Sequence, residues 1–136
     1  MVQIYLDIDG VILTKDSKVP EYAVEFIQFL VSNFDCHWCT THCRNGANRT
    51  IEYLTPYYDS KTIELLKQVK TTNWDTLKTE AIDLESKFIW LEDFPMQAEK
   101  QVLSSCGKLD SLVVVDLSMD QELQRVENLL LDFLTQ

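Results

Sequence analysis

The sequence predicts an α/β domain, a three-layer α/β/α sandwich on a mainly parallel sheet. Three observations carry this reading. Short apolar runs alternate along the chain with longer segments whose apolar residues recur every three or four positions, the pattern of strands alternating with helices. The first strand, the first helix and the second strand follow one another with tight connections, which makes a right-handed βαβ unit with parallel strands. Acidic and hydroxyl residues then fall just after the apolar runs, at the sheet edge where open α/β folds bind ligands.

The first strand is the apolar run that opens at Val2 and ends at Leu6. Asp7, Ile8, Asp9 and Gly10 follow it. Side chains repeat with period two along a strand, so Asp7 and Asp9 start on one face, and Gly10 lets the chain turn sharply beyond them. Thr14 to Lys18 is a polar loop, and Pro20 suits a helix start. From Glu21 to Phe34, the residues Tyr22, Ala23, Phe26, Ile27, Leu30, Val31 and Phe34 form one apolar face, so this segment is an amphipathic helix. Cys36 to Cys39 is the second strand.

A polar segment from Arg44 to Asn48 leads into a helix ending at Tyr53 or Leu54, which Pro56 interrupts. Ser60 to Val69 reads as another helix, and Val69 is the one place in this middle region that hints at a further strand. Lys78 to Glu85 reads as a helix starting near Thr76. Lys87 to Leu91 is a clear strand ending in Glu92 and Asp93. A helix over 95–105 stops at Gly107, Ser111 to Asp116 is the last strand, and Asp120 to Leu134 is the last helix.

A chain of 136 residues with three Gly, three Pro and no linker-like or repeated segment is expected to form one domain, 1–136. Its net charge of −10 argues against a nucleic-acid partner, because it repels a phosphate backbone. A phosphorylated substrate remains compatible, since a bound cation reverses the sign locally. No apolar run is long enough for a membrane span and no basic leader opens the chain, so a cytoplasmic protein is expected. Three of the four cysteines lie in Cys36-His37-Trp38-Cys39-Thr40-Thr41-His42-Cys43. In a strand Cys36 and Cys39 point to opposite faces, so this run reads as buried thiols rather than a zinc site, and both histidines read as structural.

Asp7 and Asp9, Thr40, Lys78, and Glu92 with Asp93 are distant in sequence. Each follows a strand or begins a helix beside one. Their chemistry is complementary. One carboxylate can attack a phosphoryl group, and a second can protonate the leaving oxygen and then activate water. A hydroxyl and an ammonium can hold phosphoryl charge, and a further carboxylate completes an oxygen site for Mg²⁺. Thr41 and Arg44 are further candidates for contact with a substrate phosphate.

In this order the residues resemble the motifs of the haloacid dehalogenase superfamily of phosphohydrolases, from Leu6 to Asp116. Asp7-Ile8-Asp9-Gly10-Val11 is similar to its first motif, Thr40 to the second, Lys78 to the third and Glu92-Asp93 to the fourth. The resemblance implies a Rossmann-like sheet and a Mg²⁺-dependent phosphatase. Asp7 would be its nucleophile, Asp9 its general acid/base, and Thr40 and Lys78 would contact the phosphoryl group. It implies metal contacts from Asp7, Asp9 (through its backbone carbonyl), Asp93 and the neighbouring Glu92. The fourth motif departs from the family's pair of aspartates by carrying Glu92 first. Lys61, Lys67, Lys70 and Lys87 are rivals to Lys78. The segments between motifs are too short for a sizeable cap domain, so an open site for small or macromolecular phosphorylated substrates is expected. The rival expectation is a non-catalytic domain of the same fold, or a receiver-like phospho-acceptor. Receivers place their phosphorylated aspartate after a later strand, which this order fits poorly.

Overall fold

In the computed structural model, which describes residues 1–43 and 46–135, a four-stranded parallel sheet runs in the order β2-β1-β3-β4. β1 (Gln3–Leu6) lies between β2 (Asp35–Trp38) and β3 (Phe88–Glu92), and β4 (Leu112–Val114) pairs with β3. The register sets Leu6 beside Trp38 on one side and Leu91 on the other. Because the strands run in one sense, the next residues, Asp7 and Glu92, emerge side by side at the carboxyl edge.

Side chains alternate across the pleat, and helices cover both faces. Ile4 and Leu6 enter a core with Phe26, Ile27 and Leu30 of α1 (Ala23–Asn33), Ile63 and Leu66 of α3 (Ser60–Leu66), and Leu123, Val126 and Leu130 of α5 (Glu122–Leu134). Tyr5 points the other way, into a smaller core with Ile82, Phe88, Trp90 and Leu103 of α4 (Gln97–Ser105). α2 (Ala47–Leu54) packs on α3 and sends Leu54 into the first core. α3 in turn packs on α1.

Several elements differ in their bounds from expectation, three of them for a visible reason. The helix expected from Lys78 to Glu85 is a single 3₁₀ turn, Lys78–Ala81. Polar side chains divert the backbone there. Glu80 accepts from the amides of Asp75 and Leu77, and Asp83 binds Ser86 and the Glu85 amide. α3 stops at Leu66 rather than Val69, and the hint of a strand becomes a one-residue bridge from Lys70 to His37 of β2. Lys70 donates its amide to Cys36 and accepts from Trp38 at 2.9 and 2.7 Å. α4 begins at Gln97, past Pro95, where the buried Glu99 accepts the Met96 and Lys78 amides.

Cys36 and Cys39 lie in opposite cores, as alternation requires and as a shared zinc would not allow. No described helix is long and apolar enough to cross a membrane.

Candidate functional site

The chain curls tightly after β1. The amides of Val11, Ile12 and Leu13 all converge on the carbonyl of Ile8, and Ile8, Val11, Ile12 and Leu13 are buried beneath the turn. Gly10 sits in it at φ +88°, a conformation that L side chains rarely adopt. It also makes room for another segment, because a Cβ there would lie 2.3 Å from Cγ of Asp93. Gly10→Ala is therefore expected to lower stability by about 1–3 kcal/mol from backbone conformation alone. It should also push Asp93 from its place, which denaturant unfolding and cation binding would measure together.

Asp7, Glu92 and Asp93 form one group, with a carboxylate oxygen from each within 4.8 Å of the others. Lys78 joins two of them, its Nζ 3.1 Å from Oδ2 of Asp7 and 2.7 Å from Oε1 of Glu92. The second oxygen of Glu92 accepts from the amides of Asp93 and Phe94 at 3.1 and 3.2 Å. Oδ1 of Asp7 takes the Ile8 amide at 2.8 Å. Asp93 pairs with Lys15 at 3.0 Å, and that lysine is 70% exposed.

Electrostatics follow from this crowding. Burial, and then the negative charge of Asp7, push Glu92 well above the ordinary carboxylate range. Burial also opposes the charge on Asp93, but its bonds with Glu92 and Lys15 outweigh that and hold its pKa down. Burial likewise works against the Lys78 ammonium, and Asp7 and Glu92 overcome it, so Lys78 stays protonated with a raised pKa. Three carboxylates thus crowd one space beside two ammonium groups, and one of them resists ionisation.

Asp9 turns elsewhere. Its Oδ2 lies 3.0 Å from Nε2 of His42, and its Oδ1 accepts from the Tyr53 hydroxyl at 2.8 Å. The His42 and Tyr53 rings stack at 3.8 Å between centroids. Burial, and then the bond to Asp9, push the Tyr53 phenol up to about 12, so it remains a donor at neutral pH. The two histidines, both expected to be structural, have different surroundings. His37 does pair with Asp35 and stack on Tyr5, but His42 contacts Asp9. No local pattern marks His42, Tyr53 or Lys15 in the sequence.

Thr40 is fully buried and its hydroxyl oxygen accepts the His42 amide at 3.3 Å, while Thr41 is exposed on the following turn. Arg44 lies outside the described residues. Three of the rival lysines are engaged elsewhere: Lys67 with Glu64, Lys70 with Asp35, and Lys87 over the Phe133 ring.

The donor set fits a hard divalent cation, since carboxylate oxygens are what Mg²⁺ and Ca²⁺ take. Compared with protein-family models, with curated proteins and with solved structures, the chain finds no match. Fold and site together define a parallel α/β domain with a largely buried acidic group that could hold a metal ion.

Proposed function

We propose that this protein is a Mg²⁺-dependent phosphohydrolase of the haloacid dehalogenase type, working through an aspartyl-phosphate on Asp7. The observation that carries the reading is the shared ammonium of Lys78, which joins Asp7 of β1's end to Glu92 of β3, with Asp93 in the same carboxylate group. Asp7 attacks the phosphorus and forms the acyl phosphate. The bond from phosphorus to the leaving oxygen breaks, and that oxygen takes its proton from Asp9. Asp9, now a carboxylate, removes a proton from water, whose oxygen attacks the same phosphorus and releases Asp7 and phosphate. Lys78 offsets charge on Asp7 and on the phosphoryl oxygens. Thr40 and Thr41 are the proposed hydroxyl contacts to those oxygens, and Arg44 a further one.

Asp7 and Asp93, with the backbone carbonyl of Asp9, are the proposed inner contacts to the metal. Glu92 stands behind them, because both its oxygens already have protein partners. When bound, Mg²⁺ would supply Lewis-acid stabilisation of phosphoryl charge. The same engagement of Glu92 favours, as a second reading, a domain of this kind that binds phosphate esters without turning them over.

Steady-state release of phosphate from nitrophenyl phosphate, with Mg²⁺ and with a chelator, separates the two. Turnover that depends on Mg²⁺ is the expected result. Absence of turnover at any Mg²⁺ concentration would overturn the enzymatic reading.

A further inference from the structure

The contacts of Asp9 carry a deeper reading of this site, one that rests on the phosphohydrolase assignment. We infer that His42 and Tyr53 are positioning residues that aim the Asp9 carboxyl group at the leaving oxygen. The Asp9 side chain is about a third exposed, at 35%, and without partners it would sample several rotamers. Among the described residues Tyr53 instead meets its Oδ1 and His42 its Oδ2, and together they fix the plane of the carboxyl group. A carboxylate has about four acceptor positions, so two such contacts still leave room on Asp9 for the proton that it hands to the leaving oxygen.

The partners are themselves held. The His42 amide donates to the Thr40 hydroxyl and its carbonyl accepts from the Thr50 hydroxyl, both at 3.3 Å. The imidazole then stacks on the Tyr53 ring, whose hydroxyl reaches Asp9 from α2. Thr41, Arg49 and Glu52 line a cleft against the same two rings. Orientation of this kind acts through Asp9 alone, so in kcat/KM, which reports the first transfer and not the later attack of water, it matters only where the leaving oxygen needs a proton.

That condition supplies the test. Wild type, Tyr53→Phe, and His42→Ala with Tyr53→Phe are assayed on two esters, nitrophenyl phosphate and an alkyl phosphate. The first has a leaving group that departs without a proton; the second does not. The double variant should lose about 10–100-fold in kcat/KM on the alkyl ester and far less on the nitrophenyl ester, with Mg²⁺ affinity unchanged. Tyr53→Phe, which keeps the stacked ring, shows the same selectivity in smaller measure and guards against misfolding of the double variant. In an Asp9→Asn background the two substitutions should have no further effect on the alkyl ester. Equal losses on both esters, or a further loss without the Asp9 carboxylate, would overturn the positioning role while leaving the phosphohydrolase reading intact. A wild-type protein inactive on both esters would overturn both.

Discussion

Asp7→Asn should abolish phosphate release and the phosphoenzyme together, with a loss on the order of 10⁴-fold or more. An amide oxygen is a poor nucleophile, and the substitution also removes the negative charge that Lys78 contacts at 3.1 Å. The fold should survive, because the amide keeps the size of the side chain and an oxygen for the Ile8 amide. Lys78 keeps Glu92 as its charge partner. Thermal unfolding checks that point independently. The decisive measurement is the intact mass of acid-quenched protein after exposure to substrate, which carries an added phosphoryl group in wild type only. Full activity in the variant, with its mass confirming that asparagine is still present, would rule out this mechanism.

Asp93→Ala should remove Mg²⁺ binding and turnover together, whereas Glu92→Gln should weaken each by about 10–100-fold at most. The two acids are adjacent, yet their surroundings differ. Glu92 is buried, and Lys78 with the Asp93 and Phe94 amides occupies both its oxygens. Asp93 faces a lysine on an exposed loop, which a divalent cation can displace. Mg²⁺ demands near-ideal octahedral geometry, so a ligand already committed to three hydrogen bonds is a poor inner contact. Calorimetric titration of Mg²⁺ into both variants decides between them. Loss of binding in Glu92→Gln with normal binding in Asp93→Ala would reverse the assignment.

Much of the fold is legible in the sequence because helix and strand periods are local. The apolar face of the first helix, the runs that become β1, β2 and β3, and the opposite orientation of Cys36 and Cys39 all follow from those periods. The order of the acidic, hydroxyl and lysine residues favours Lys78 but leaves four rival lysines open, and it is the fold that sets the Lys78 ammonium against Asp7 and Glu92. The segment from Thr76 to Glu85 was misleading for an equally physical reason. Its composition suits a helix, but Glu80 and Asp83 bind nearby backbone amides and hold the chain in a single 3₁₀ turn.

By itself, then, the sequence determines a parallel α/β domain and the strand ends that carry its carboxylates. Parallel strands of known order must deliver Asp7 and Glu92 to one edge, whatever the loops do. Only the tertiary structure decides which group meets which beyond that edge. His42 and Tyr53 reach Asp9 across 33 and 44 residues of chain. Asp93 packs where any side chain on Gly10 would stand. Such meetings depend on the path of turns between elements, set by positive φ values, polar side chains and the shapes of two cores. No local periodicity encodes that path.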